Sequence, residues 1–192
     1  MSSYEHVTFM LCLPRSRSAW MTEFVRPYVA LALHNPLQQC ATINELGEKI
    51  DNAPNGRVFV ADVSAMFFFD QLLLRFPGAQ FIVVHRPARE VELSMQRLGI
   101  HPPLNIRNAE KQLLDIANTI RARGDSMTGT FFELNSPQIV RAISKFVSGA
   151  DVPYGYYLRM KDRNIQVSVA DQIKRTDIAK QRVLFGKARI IH

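Results

Sequence analysis

The sequence predicts a three-layer α/β protein built around a mostly parallel sheet. Two observations carry that expectation. Short runs rich in Val, Ile, Leu and Phe recur at residues 7–13, 58–61, 80–84 and 130–134. Between them lie longer stretches whose apolar residues repeat at intervals of three and four. Alternation of this kind builds βαβ units, because parallel neighbours need a crossover about as long as a helix.

The elements follow in order. The first run, apolar but for Thr8, reads as a strand covered on both faces. After a polar turn, Trp20, Phe24, Tyr28 and Leu31 fall on one face of a helix expected over 18–33. Pro27 is expected to kink it. Residues 34–57 are less regular, with Pro36, Gly47, Pro54 and Gly56 around a short helix at 42–50. The strand at 58–61 is closed by Asp62. Ala65, Phe69, Leu72 and Phe76 then trace a helix face that Pro77-Gly78 terminates. The strand at 80–84 leads into a helix over 88–98, ended by Gly99 and Pro102-Pro103. Ile106, Ala109, Leu113, Ile116 and Ile120 have helical spacing before Gly124. After the last strand Ser136 is placed as an N-cap with Pro137 at the first helical position. Ile139, Val140, Ile143, Phe146 and Val147 supply the apolar face that follows.

The chain's 192 residues suit one domain, divided as a core over 1–150 and a basic extension over 151–192. At 47% apolar and 21% charged residues, it has the composition of a globular protein rather than a disordered one. No apolar run approaches the roughly 18 residues of a membrane span. The apolar start lacks a basic leader, carries Glu5 and runs into Pro14-Arg15-Ser16-Arg17, so export is not expected. Cys12 and Cys40 make neither a disulfide framework nor a metal quartet. The expectation is a reducing, cytoplasmic setting and no metal. A formal net charge of +7 favours anionic partners.

In α/β sheets, ligands bind beyond the carboxyl ends of the strands, and two such junctions carry unusual chemistry. Leu13-Pro14-Arg15-Ser16-Arg17-Ser18-Ala19-Trp20 joins a strand to a helix and places two arginines and two hydroxyls where helix N–H groups favour an anion. It lacks the glycines and the Lys-Ser/Thr pair of a Walker A loop, which disfavours an ordinary ATPase or kinase. The second junction runs Phe81-Ile82-Val83-Val84-His85-Arg86-Pro87-Ala88-Arg89-Glu90-Val91-Glu92-Leu93-Ser94. An arginine at the end of a buried strand is costly without a counter-charge, and a bound phosphate supplies one.

Taken together, these segments resemble the sulfotransferases that use 3′-phosphoadenylyl sulfate (PAPS). Pro14-Arg15-Ser16-Arg17-Ser18-Ala19-Trp20 is similar to the family's Pro-Lys/Arg-Ser-Gly-Thr-Thr-Trp loop for the 5′-phosphosulfate. Arg86 through Ser94 is similar to its 3′-phosphate motif, with Arg and Ser at the family's spacing of eight. Phe76-Pro77-Gly78-Ala79-Gln80-Phe81-Ile82 resembles the family's Phe-Pro-(any)-Ala-Lys-Phe-Ile approach to that motif, and Phe131-Phe132-Glu133-Leu134 through Phe146-Val147 resembles the later strand and helix. The resemblance covers roughly residues 5–150 and implies a P-loop-like core. Four departures stand out. Arg17 replaces a glycine, Ala19 replaces a hydroxyl residue, Pro87 replaces Asn or Asp, and the Gly-rich C-terminal motif has no counterpart.

What the resemblance implies is transfer of a sulfuryl group from PAPS to a hydroxyl or amine acceptor, without a metal. Arg15 would be the catalytic cation, with Ser16, Arg17 and Ser18 on the 5′-phosphosulfate and Arg86 and Ser94 on the 3′-phosphate. Ser18 also suits an N-cap. Trp20 stands where the family stacks the adenine, and core packing with Phe24 is the other use of that ring. The family's general base follows the second strand, which makes Asp62 the positional candidate; an N-cap before Ser64 is its structural alternative. His34, His85 and His101 are reserves. The tail carries Tyr154, Tyr156 and Tyr157 before Arg159, Lys161 and Arg163, and nine basic against four acidic residues after position 150. That excess is too small to point to nucleic acid; a solvated helix, a homodimer arm or an acceptor lid suits it better. Competing expectations are a non-catalytic nucleotide-binding protein of the same fold, a P-loop-class nucleotide or phosphate enzyme, and a basic nucleic-acid module led by the tail.

Overall fold

The computed structural model of the chain describes residues 4–101, 105–124, 126–163 and 165. Pro102-Pro103 and most of the basic tail lie outside the described residues. Among the described residues, five strands form one parallel sheet: β1 (Val7–Cys12), β2 (Leu31–His34), β3 (Val58–Ala61), β4 (Gln80–His85) and β5 (Ser126–Thr130). Their spatial order is β2-β3-β1-β4-β5. The register pairs Met10 with Ala61 on one side and Cys12 with Val84 on the other. The three central strands therefore end side by side, and the polar junctions sit along one edge of the sheet.

Among the described residues, seven α-helices cover the two faces: α1 (Ser18–Val25), α2 (Ile43–Asp51), α3 (Phe69–Arg75), α4 (Ala88–Gln96), α5 (Ile106–Arg121), α6 (Pro137–Ser148) and α7 (Tyr154–Lys161). Side chains alternate along each strand, so each face of the sheet carries its own core. Phe9, Leu11, Val60, Phe81 and Val83 pack under α2 to α5. Met10, Cys12, Phe59, Ile82 and Val84 pack under α1, α6 and α7. The expected three-layer α/β architecture is the one observed.

The start of α2 illustrates local determination. Thr42 accepts from the Glu45 amide at 3.2 Å, and the Glu45 carboxylate returns to the Ala41 amide at 2.9 Å. Thr42→Ala should cost about 1 kcal/mol of stability, read as a lower urea midpoint at an unchanged slope.

Two elements differ from expectation. The helix expected over 18–33 ends at Val25 and passes through a 3-10 turn, Arg26–Tyr28, into β2. Pro27 stops the helix rather than kinking it, because it has no N–H for a further turn. The apolar spacing misled because Trp20, Phe24 and Tyr28 face one core while Leu31 packs on the other. Parallel pairing of Leu31–His34 with β3 then overrides the helical pattern. The strand expected at 130–134 lies at Ser126–Thr130 instead, followed by a 3-10 turn, Glu133–Asn135. Apart from Met127, β5 is an edge strand of small residues, and its apolar neighbours Phe131 and Leu134 belong to the corner after it.

Candidate functional site

The β1–α1 loop holds two arginines in the left-handed region, Arg15 at φ 64° and Arg17 at φ 63°. That conformation costs a residue with a side chain about 1–2 kcal/mol. Arg17 stands where the loop it resembles has a glycine, and its left-handed backbone is one that glycine adopts readily, so the loop gains a side chain in a glycine-like conformation. Its Nη1 donates to the Leu134 carbonyl at 3.0 Å, and its guanidinium lies over the rings of Trp20 and Phe131. Arg17 thus ties the loop to the corner after β5.

Arg86 leaves the end of β4 toward the same corner. It donates to the Arg15 carbonyl, stacks on Phe131 at 3.9 Å from the ring centre, and lies 3.6 Å from the Glu90 carboxylate through Nε. Arg15 Nε donates to Ser94 Oγ at 3.4 Å, closing the loop onto α4. The structure therefore brings together Arg15, Ser16, Arg17, Arg86 and Ser94 from two junctions 71 residues apart.

The electrostatics are unbalanced. Burial pushes the Arg15 guanidinium below its ordinary value, and the charge of Arg86 pushes it further. Burial likewise lowers Arg86, with Glu90 opposing the shift and Arg17 adding to it. Among the described residues, Ser16 Oγ and Arg86 Nε are buried and lack a hydrogen-bond partner. Stranded donors beside crowded cations are the complement of an anion.

The remaining expected residues fall around this cluster. Ser18 begins α1 and its Oγ meets His34 Nε2 at 3.1 Å. Trp20 is buried, stacked on Phe24 at 4.9 Å, with its indole N–H on the Met160 carbonyl at 2.8 Å. Its other neighbour is the Arg17 guanidinium. Asp62 is 1% exposed. Its carboxylate accepts from the Leu37 amide at 2.8 Å and the Ser64 amide at 2.7 Å. Burial raises its pKa, and those amide bonds partly offset the rise. His85 pairs with Glu110 at 2.8 Å across to α5, and His101 is exposed. Phe131 and the Leu134 carbonyl are the site components that sequence reading missed. The Phe131-Phe132 pair was visible, but its place beside two arginines depends on where β5 ends. Among the described residues, no three His, Cys, Asp or Glu side chains gather as metal ligands do, and no helix is long and apolar enough to cross a membrane.

Cys12 lies beneath Ser18. Burial pushes its thiol up to about 12, with a bond to Ser18 opposing the rise and the Asp62 charge adding to it. The folded protein should therefore leave Cys12 unalkylated by iodoacetamide at pH 8, and unfolding should release it. Rapid labelling of the Cys12 peptide by mass spectrometry, without unfolding, would contradict this burial.

Among solved structures, the chain is similar to mouse sulfotransferase SULT7A1 complexed with PAP, at TM-score 0.58 and 13% identity. A sulfotransferase from Alicyclobacillus acidocaldarius is similar at TM-score 0.53 and 10% identity. The chain has the sulfotransferase fold. The first likeness covers 81% of this chain and 63% of the mouse protein, so the chain spans under two thirds of that relative. The second covers 92% of this chain and 94% of the bacterial one. No protein-family profile matches the sequence, and no curated protein matches it. The β1–α1 loop and the β4–α4 junction meet at the arginine cluster.

Proposed function

We propose that the protein binds PAPS at the arginine cluster and transfers its sulfuryl group to a hydroxyl or amine acceptor. The observation that carries the reading is the convergence of Arg15, Arg17 and Arg86 on stranded buried donors at the carboxyl ends of β1 and β4. PAP, with which the mouse sulfotransferase is complexed, has the matching chemistry: adenosine 3′,5′-bisphosphate presents two phosphates to such a cluster.

The chain's own groups divide as follows. Ser16, the amides opening α1 and Ser18 bind the 5′ side. Arg86 and Ser94 bind the 3′-phosphate. Arg17 and Trp20 hold the loop in shape from behind, and Phe132, exposed beside Phe131, is the ring offered to a base. When bound, PAPS supplies a sulfuryl group that forms a sulfur–oxygen bond to the acceptor and leaves the electron pair of the broken bond on the 5′-phosphate. Arg15 steadies that growing charge, an effect of about 3–4 kcal/mol for a preorganised donor.

The acceptor proton needs a base, and two groups compete for the role. Asp62 is the base by position, but two backbone amides engage its buried carboxylate. His34 ends β2, is only half-buried and meets the loop through Ser18. We give His34 the proton and Asp62 the task of holding the segment at Leu37.

Titration calorimetry with adenosine 3′,5′-bisphosphate and with ATP tests the reading. The bisphosphate should bind without Mg²⁺ and more tightly than ATP, and tight binding should weaken as salt rises. No binding by folded protein at low salt would remove the nucleotide reading. Binding without turnover on any acceptor would favour a non-catalytic relative.

A further inference from the structure

His85 and Glu110 form a pair to which the roles above assign no task. His85 Nε2 meets Glu110 Oε1 at 2.8 Å, and the two side chains are only 28% and 24% exposed. The pair stands one residue from Arg86.

Alternation along β4 gives it reach. His85 is the last residue of β4, and Arg86 follows it directly. Phe81 and Val83 face the core under α2 to α5, which puts His85 on that same side, where Glu110 waits on α5. Arg86 leaves toward the other side and stacks on Phe131, which packs against the opposite core. The two side chains are therefore levers on one stretch of backbone. Holding His85 fixes the plane from which Arg86 departs.

The backbone of His85 makes a second link. Its carbonyl accepts from the Phe131 amide at 2.7 Å, just past the pairing of His85 with Thr130. The ring that carries the Arg86 guanidinium thus hangs from the residue that Glu110 holds. Arg86 depends on that ring, because its carboxylate neighbour does little to orient it. Glu90 lies 3.6 Å from Nε, too far for a hydrogen bond, and Nε is buried without a partner. Glu110, by contrast, has a firm base. Asn105 caps α5 by accepting from the Arg107 and Asn108 amides at 3.0 and 3.1 Å, and Ile106, Ala109 and Leu113 bury that stretch in the core.

We infer that His85 and Glu110 are positioning residues for 3′-phosphate recognition, setting Arg86 and Phe131 in the geometry that takes that phosphate. Their role rests on the assignment of Arg86 to the 3′-phosphate. A guanidinium gives a phosphate two directed bonds, so a displacement of about 1 Å at its departure point costs affinity steeply.

The test is an NMR titration of the full-length protein with adenosine 3′,5′-bisphosphate and with adenosine 5′-monophosphate, which lacks the 3′-phosphate. The unaltered protein should bind the bisphosphate about 100-fold more tightly. Glu110→Ala should shrink that advantage about tenfold, with monophosphate affinity unchanged. Glu110→Gln, which keeps an oxygen within reach of His85, should restore most of it. His85→Ala should repeat the loss, and His85→Gln, whose amide nitrogen stands near the place of Nε2, should repair it. The two routes keep the role testable if one alanine variant fails to fold. A contact that only braces the fold would lower the melting temperature and weaken both nucleotides alike, and that result overturns the positioning role. So does a folded alanine variant that keeps the full preference for bisphosphate. If the unaltered protein shows no such preference, Arg86 does not read the 3′-phosphate and the role falls with that assignment.

Discussion

Replacing Arg86 by alanine is expected to weaken adenosine 3′,5′-bisphosphate binding about 100-fold or more, with the fold kept. Each charge-assisted hydrogen bond to a phosphate contributes about 1.5–3 kcal/mol, and a guanidinium makes two at once. Losing the pair at a site already shielded from water corresponds to at least the roughly 2.7 kcal/mol of a hundredfold change. The effect on stability should be small, because opposing terms cancel. Alanine removes the bond to the Arg15 carbonyl and the stacking on Phe131. It also removes a buried donor without a partner and the repulsion among three guanidinium groups. The melting temperature should move little while affinity collapses. A variant that binds bisphosphate like the parent would show that the cluster is a structural ion network and nothing more. A variant that unfolds would instead make Arg86 a structural keystone.

The second large effect separates His34 from Asp62. His34→Ala should lower kcat about 100- to 10,000-fold with little change in bisphosphate affinity, the loss typical of a missing general base. Asp62→Asn should act on stability. An amide nitrogen in place of one carboxylate oxygen meets an N–H donor, from Leu37 or Ser64, and strands it at a cost of about 1–3 kcal/mol. The pH dependence carries the same signature. Burial raises the Asp62 pKa above its unfolded value. Between those two values the folded protein holds more protons than the unfolded chain, so stability falls as pH rises through the window. Asp62→Asn should lose that slope. If the histidine variant turns over normally while folded Asp62→Asn does not, the base is Asp62 and the roles reverse.

The physics of each segment explains what could be read early. β3 spans Val58–Ala61 as expected, because four apolar residues between a turn and an aspartate have no other stable use. α5 followed from the spacing of Ile106 through Ile120, since a long amphipathic period has one solution. β2 was hidden because its four residues continue the apolar spacing of the helix before them. That missed strand also matters for chemistry, since it carries His34 to the loop.

The chain's own pattern therefore determined the layered α/β class, the two strand-to-helix junctions and most residues of the arginine cluster. Periodicity and turn chemistry act over a few residues, and these features are local. Only the tertiary structure decided that Arg17 reaches the Leu134 carbonyl, 117 residues away, and that His34 meets Ser18. It also decided that Trp20 is enclosed while Phe67 and Phe68 are not. Those outcomes depend on which face of the sheet each element covers. Strand pairing and core packing settle that choice between residues far apart in the chain.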